Sequence, residues 1–255
     1  MKLRFLGTGT SQGIPVIGCS CDVCSSSDPK DRRLRSSALI SSETTNIIID
    51  VGPDFRAQML DSGTAHLEAI LITHEHNDHI AGLDDIRPFN FMSRRAMSVY
   101  ALERVAKDLQ KRFAYIFSSS RYPGSPSVDL FIIDDYMDEF YIDDIQVKPI
   151  RFHHADLPIL GYRMGDVVYI TDLKSISEKE LDKIKGCKIL ILNALRLTSH
   201  HSHLSLQQAV ELAEYIDPER VYFTHISHDM GRHSFINDRL PKNMQLAYDG
   251  LEVCF

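Results

Sequence analysis

Positive charge is scarce in this chain. Its 28 lysines and arginines are outnumbered by 35 acidic residues, for a net charge of −7. That balance argues against a general nucleic-acid or anionic-membrane surface and leaves room only for a locally basic pocket. Long apolar runs are also missing. No stretch is long enough to cross a bilayer, and Met1-Lys2-Leu3-Arg4-Phe5-Leu6 is too poor in apolar residues for a signal peptide. A cytoplasmic protein without membrane contact is therefore expected. Cysteine is sparse and odd in number: Cys19, Cys21, Cys24, Cys187 and Cys254. Without a signal peptide, that argues against a disulfide framework. Low-complexity segments and linkers are lacking too. Residues 1–255 are expected to form one domain, long enough to bury a sizeable core without staples.

What is present is histidine, twelve in all. The densest group is Thr73-His74-Glu75-His76-Asn77-Asp78-His79, directly after the apolar run Ala69-Ile70-Leu71-Ile72. That run reads as a buried strand. Ile80, Ala81, Leu83 and Ile86 follow with helical spacing, so the cluster is predicted on a strand-to-helix turn. Three imidazoles and a carboxylate so close together suit Zn²⁺, Mn²⁺ or Fe²⁺. A second group, Cys19-Ser20-Cys21-Asp22-Val23-Cys24, lies in a loop rich in Gly, Ser, Pro and Asp. Three thiolates there can wrap one Zn²⁺ with a fourth ligand from elsewhere and so anchor a loop at about 18–28.

The rest of the chain alternates strands and helices. Strands are predicted at 2–6, 36–41, 46–50, 98–101, 130–134, 145–152, 160–164, 167–171, 188–192, 220–224, around 246 and at 251–254. Helices are predicted at about 53–60, 102–117, 177–185, 205–215 and 232–240. Ser177 with Glu180 reads as a capping box, and Gly165-Asp166 as a hairpin turn. Gly7-Thr8-Gly9-Thr10 is a flexible loop, either a tight connection or a phosphate cradle. Residues 118–128 are the least patterned stretch, expected to cover a site. Ile70-Leu71-Ile72-Thr73-His74 and Val221-Tyr222-Phe223-Thr224-His225 share one design, so two similar halves are expected.

Several apolar strands close on an acid or an imidazole: Asp50, His74, His76, His154, Asp172 and His225. In α/β architectures such strand ends converge on one crevice. With Asp78 and His79 they suffice for two metals. His74, His76 and His154 would hold one ion; Asp78, His79 and His225 would hold the other, with Asp172 bridging. Two such ions ~3.5–4 Å apart turn water into a nucleophile at neutral pH and clamp a phosphoryl or carbonyl oxygen. Asp50 is either a cap or a carboxylate that orients a ligand histidine.

The Gly7-Thr8-Gly9 loop, Asp50, His74-x-His76-x-Asp78-His79, His154, Asp172 and His225 resemble the ordered motifs of the metallo-β-lactamase superfamily. That resemblance implies a four-layer αββα sandwich of two related halves, an α/β (α+β) fold. His76 matches its hydrolases rather than its diiron branch, which carries Glu there. Gly7-Thr8-Gly9-x-x-Gln12-Gly13-x-Pro15, Gly18-Cys19-x-Cys21-x-x-Cys24 and Thr224-His225-Ile226-Ser227-His228 further resemble the PhnP-type phosphodiesterases, which act on phosphoribosyl 1,2-cyclic phosphate. The resemblance implies two active-site metals, Mn or Zn, and one structural Zn on Cys19, Cys21, Cys24 and His228. It also implies catalytic roles for Asp78 and for His203, the latter near the leaving group in preference to His200 and His201. It favours His154 over its neighbour His153. Residues 93–138 depart from the family pattern and are expected to help wall the substrate. Arg56, Arg87, Lys174 and Arg196 are the cations near motifs that could meet a second phosphate. A small-molecule phosphodiester is the expected partner, ahead of nucleic acid, with a homodimer as an expected assembly. The alternatives are a ribonuclease Z-like nuclease, or a lactone or thioester hydrolase.

Overall fold

The computed structural model describes residues 1–120 and 122–255; Arg121, inside the expected loop at 118–128, lies outside the described residues. The strands run β1 (Lys2–Gly7), β2 (Ser37–Ser41), β3 (Asn46–Ile49), β4 (Ala69–Leu71), β5 (Met97–Ala101), β6 (Val128–Ile132) and β7 (Phe140–Ile142). They continue as β8 (Ile145–His154), β9 (Leu157–Met164), β10 (Val167–Ile170), β11 (Ile189–Asn193), β12 (Arg220–Thr224), β13 (Met244–Leu246) and β14 (Glu252–Cys254). The helices are α1 (Phe55–Ser62), α2 (Asn77–Ile80), α3 (Arg87–Ser93), α4 (Glu103–Arg112), α5 (Ala114–Phe117), α6 (Glu178–Ile184), α7 (Leu206–Ile216) and α8 (His233–Asn237).

Two seven-stranded sheets result, ordered β14-β1-β2-β3-β4-β5-β6 and β13-β12-β11-β10-β9-β8-β7. Alternation along the strands builds the layers, because successive side chains leave a strand on opposite faces. Ile47 and Ile49 meet Val147, Tyr162, Tyr169 and Ile189 between the sheets. Ile48, between them in sequence, faces the other way, among Phe55, Ile70, Val99 and Val105. In the second sheet Val168 and Ile170 pack on Leu181, Ile184, Ala209 and Ala213 of α6 and α7. Ile47, Ile48 and Ile49 are all fully buried, as expected for strands covered on both faces. Each such side chain contributes roughly 1.5–3 kcal/mol by leaving water. The expected αββα sandwich is therefore the architecture observed.

The two halves repeat a pairing pattern. Across the first sheet, three antiparallel pairs (β14·β1, β1·β2, β2·β3) give way to three parallel ones (β3·β4, β4·β5, β5·β6). The second sheet runs the same way from β7·β8 to β12·β13. Position for position, β3 matches β10, β4 matches β11 and β5 matches β12. The sequence echo between β4 and β12 thus joins strands at different positions. The topological echo is instead Asp50 after β3 and Asp172 after β10. Both take left-handed backbone conformations, φ 62° and 60°.

Several local expectations need correction. The helix over 102–117 breaks at Phe113 (φ −108°, ψ 41°) into α4 and α5. Helix α3 and strand β7 were not anticipated. Ser177 precedes α6 but makes no side-chain cap bond. Glu180 is occupied elsewhere: its Oε2 accepts the Arg151 backbone N–H at 2.8 Å. A complete capping box stands instead at α7, where Ser205 and Gln208 bond reciprocally. The Gly7–Thr10 loop is a tight connection rather than a phosphate cradle. Gly9 N–H donates to the Leu34 carbonyl at 2.8 Å and Thr10 N–H to the Ile226 carbonyl at 3.1 Å, so these amides are taken.

Candidate metal-dependent active site

The ends of β3, β4, β8, β10 and β12, with the loop before α7, bring the expected residues together. After β4 the chain runs through Thr73 and His74 into the single turn α2. Its path is clasped by the segment after β3: Val51 N–H donates to the His79 carbonyl at 2.7 Å, and Gly82 N–H to the Val51 carbonyl at 2.8 Å. Gly52 is required in this clasp, since a Cβ there would lie 2.1 Å from the Asp78 carbonyl oxygen. Asp50, Asp172 and His225 all have positive φ, the last 55°. Such non-glycine residues are uncommon and concentrate at functional sites.

His79 is the hub. Its Nδ1 is 2.6 Å from Asp50 Oδ2, and Asp50 also accepts from Thr73 N–H and Thr73 Oγ1, each at 2.8 Å. Asp50 is thus a carboxylate that orients an imidazole, not a helix cap. With Nδ1 given to Asp50, His79 Nε2 faces Asp78 Oδ2 at 3.1 Å and Asp172 Oδ2 at 3.5 Å. That nitrogen is buried and has no hydrogen-bond partner. A bare lone pair opposite two carboxylate oxygens is repulsive unless a proton or a cation lies between them. Burial opposes a proton there, but Asp78, Asp50 and Asp172 together hold the His79 pKa well above the ordinary histidine range. The same charges act in reverse on the acids. Burial would raise Asp172, yet His225 and His79 bring its pKa well below the usual carboxylate range, and Asp78 is lowered in the same way by His79.

The other imidazoles surround this core. His74 Nε2 lies 2.9 Å from His76 Nδ1, and the rings of His74, His76 and His154 are mutually within 5.7 Å. Burial pushes His74 well below its ordinary pKa and His225 to about 4, so both are neutral and able to act as ligands. Asp172 Oδ1 meets His203 Nε2 at 3.0 Å and His225 Nε2 at 3.1 Å. His154 Nδ1 binds the Asp172 carbonyl at 3.0 Å, which leaves Nε2 available. Three overlapping donor groups emerge: His74, His79 and Asp172; Asp78, His79 and His225; His154, Asp172 and His203. Imidazoles and carboxylates converging on one partnerless buried nitrogen fit divalent cations.

A second group is separate from this one. Sγ of Cys19, Cys21 and Cys24 lie 3.4, 3.4 and 3.5 Å from one atom, His228 Nδ1. Tetrahedral zinc with Zn–S of about 2.3 Å and Zn–N of about 2.0–2.1 Å sets S···N at about 3.5 Å. The four donors therefore fit zinc. The Cys24 N–H, pointing at Cys21 Sγ, lowers the Cys21 pKa to about 6, while burial raises Cys24 to about 11.

Sequence reasoning missed the hydroxyls that hold these rings. Thr10, Ser36 and Thr171 contact His225 at 3.1, 3.2 and 3.3 Å, and Thr73 contacts His74 at 3.0 Å. A partial signal existed: Thr73 and Thr171 each directly precede a candidate ligand, although Thr224, which does so too, has no hydrogen-bond partner for its Oγ1. His153 lies outside the cluster, exposed and bridged to Ser175, and His201 is exposed too. Two of the expected cations have other duties. Lys174 Nζ donates to the carbonyls of His200 and His203, at 2.7 and 3.3 Å, and Arg87 pairs with Asp84.

The family model of the beta-lactamase superfamily domain matches residues 45–226. The chain belongs to that superfamily. A crystal structure described as a new diphosphatase from the PhnP family is 40% identical, with a TM-score of 0.92, covering 100% of this chain and 97% of its own. That likeness places the chain close to PhnP within the superfamily. An octanoyltransferase of Porphyromonas gingivalis is 39% identical over 255 residues, 99% of this chain but 51% of its own length. The chain thus spans about half the length of that relative. A ribonuclease Z of Saccharolobus islandicus is 25% identical over 187 residues, 72% of this chain and 54% of its own. Among the described residues no helix is long and apolar enough to cross a membrane.

Proposed function

We propose that this chain is a metal-dependent phosphodiesterase, one domain over residues 1–255, acting on a cyclic or linear diester of a phosphoribosyl or nucleotide-like small molecule. The observation that carries the reading is His79 Nε2, buried without a partner and facing two carboxylates. The name diphosphatase, borne by the PhnP-family relative, supports chemistry at phosphorus. His74, His76, Asp78, His79, His154, Asp172 and His225 would hold two divalent ions, Mn or Zn; Cys19, Cys21, Cys24 and His228 would hold a structural Zn. When bound, the active-site ions supply hydroxide at neutral pH and neutralise phosphoryl charge.

The chain's own residues do the rest. Asp50 holds His79 in one tautomer through Nδ1, which fixes the direction of Nε2. Asp172, held ionised, turns Oδ2 toward His79 and Oδ1 toward His203 and His225. Asp78 stays ionised beside it. His203 carries its Nε2 against Asp172 and gives a proton to the departing oxygen. Lys174 holds the loop bearing His203 by two carbonyls.

The test is hydrolysis by metal-analysed protein of phosphoribosyl cyclic phosphate, cyclic nucleotides, bis(p-nitrophenyl) phosphate, nucleoside diphosphate esters, pre-tRNA and an acyl thioester. Cleavage of a small phosphodiester that disappears in Asp172→Ala supports the reading. Cleavage of pre-tRNA alone would favour the ribonuclease Z-like alternative, and cleavage of the thioester alone would overturn phosphate chemistry.

A further inference from the structure

The residues between the candidate ligands are themselves held, and by one helix. Glu75 and Asn77 alternate with His74, His76 and Asp78 along the turn after β4. Arg104, near the start of α4, pairs through Nη1 with Glu75 Oε1, while its Nη2 donates to the Pro158 carbonyl at 2.5 Å. Arg112, at the end of α4, donates to Asn77 Oδ1 at 2.5 Å, and its Nε pairs with Asp108 at 2.6 Å. Positions 104, 108 and 112 recur every fourth residue and so share one helix face.

Pro158 sits opposite His153 in the β8–β9 hairpin, and the next pair is His154 with Leu157. Arg104 therefore ties two segments that approach the cluster from different sheets: the turn bearing His74 and His76, and the hairpin bearing His154. Among the described residues, Glu75 has no other side-chain partner. Its Oε2 is shut off from solvent and has no partner, and the side chain is 16% exposed. Without Arg104 that carboxylate would be left poorly hydrated and uncompensated, and its turn would have to shift to reach water.

We propose that Arg104, supported by Arg112, is a positioning residue for the active-site metals, setting the separation between the His74–His76 turn and the His154 hairpin. This rests on the reading of the histidine–aspartate cluster as a metal site. It gives the stretch 93–138, expected as a substrate wall, a second role. A guanidinium suits the task because its planar fork serves two acceptors in fixed directions; an ammonium does not.

The test compares wild type with Arg104→Ala, Arg104→Lys, Glu75→Gln and the double variant Arg104→Ala/Glu75→Gln. Active-site metal affinity is read by competition with a chromophoric chelator, and ligand geometry by the absorption of cobalt-substituted protein. Melting of the metal-free form and a kcat-against-KM split complete the set. Arg104→Ala is expected to weaken metal binding by ~10-fold or more, to shift the cobalt spectrum and to lower kcat with little change in KM. The metal-free melting temperature falls by a few degrees, since Glu75 loses its partner with or without metal, but the loss of metal affinity exceeds what that fall accounts for. Lysine does not restore the wild-type values, and the double variant is no worse than the worse single one. Unchanged affinity and an unchanged cobalt spectrum in Arg104→Ala overturn the proposal, as does a drop confined to metal-free stability. Should Arg104→Ala fail to fold, Glu75→Gln carries the same readouts. Wild-type protein that takes up no metal at this cluster overturns the functional reading and this proposal with it. A normal wild type beside unaffected variants overturns this proposal alone.

Discussion

The molecule carries two clusters of candidate ligands built on opposite plans. The histidine–aspartate cluster is buried, with His74, His79, Asp172 and His225 almost wholly out of water. Its members come from the ends of five strands in two sheets. The thiolate cluster lies near the surface, with Cys21 exposed and three of its four donors within six residues of sequence. In the first, the fold holds the donors in place before any ion arrives. In the second, the segment around Cys19–Cys24 forms turns rather than strands or helices, so an ion there would itself hold the loop. The difference teaches where the free energy of a bound ion would go: into reactivity at the buried cluster and into local order at the exposed one.

The largest test of that contrast is at the buried cluster. Asp172→Ala or His76→Ala should abolish active-site metal and lower phosphodiesterase turnover by at least ~10²–10³-fold, given the several kcal/mol such ions supply. Circular dichroism should remain near wild type. Full activity in either variant would break the ligand scheme. Next, Cys21→Ser should lower zinc content by one ion per chain and the melting temperature by about 5–10 °C, since each lost kcal/mol costs about 2–4 °C at this size. Turnover with active-site metals restored should change much less. Unchanged zinc and unchanged melting would show that the thiolates anchor nothing.

A pH titration sharpens the contrast further. Cys24 is protonated at neutral pH because burial raises its thiol to about 11, and zinc must displace that proton. Zinc affinity at the thiolate cluster should therefore rise with pH, at least tenfold per unit, up to about 11. Cys21, lowered to about 6, adds a further proton and a steeper fall only below that value. At the buried cluster His225 is already neutral above about 4 and adds no such dependence near neutrality. His79, held well above the ordinary histidine range by Asp78, Asp50 and Asp172, must give up a proton to a metal, so affinity there rises with pH through that one group. Competition with a chelator at several pH values measures both slopes; a flat thiolate profile would contradict the assignment. The smallest effect concerns the helix behind the buried cluster. Ser205→Ala should cost about 1 kcal/mol by chemical denaturation, as usual for a lost cap, whereas Ser177→Ala should cost a few tenths.

Much of the buried cluster was legible because its chemistry is concentrated. His74, His76, Asp78 and His79 crowd one turn, and Asp172 and His225 each close an apolar strand. The four-layer fold was implied by the resemblance of the ordered motifs to the superfamily, and strand runs without polar gaps, such as Ile47-Ile48-Ile49, agree with it because a doubly covered sheet accepts them. Capping was read less well. Ser177 and Glu180 have the right spacing, yet Glu180 serves the Arg151 amide instead, a contact across 29 residues that no local window contains. The Thr-His echo joins β4 to β12, strands one position apart in their sheets, because shared ligand chemistry does not require shared topology. The Arg104 bridge was invisible because its acceptors, Glu75 and the Pro158 carbonyl, lie 29 and 54 residues away.

By itself the sequence determined the kinds of donor, their local spacing and the two-faced strands, because these depend on residue type and on periods of two or a few residues. Only the tertiary structure decided which donors meet. It chose the orienting role for Asp50 over the capping one, and it brought together His154 and the Cys19, Cys21, Cys24 and His228 set that the family resemblance had favoured. The physical reason is that the strand-to-strand register and the left-handed turns at Asp50, Asp172 and His225 aim side chains across the two sheets. Those directions arise from contacts between distant segments, and no stretch of chain read alone contains them.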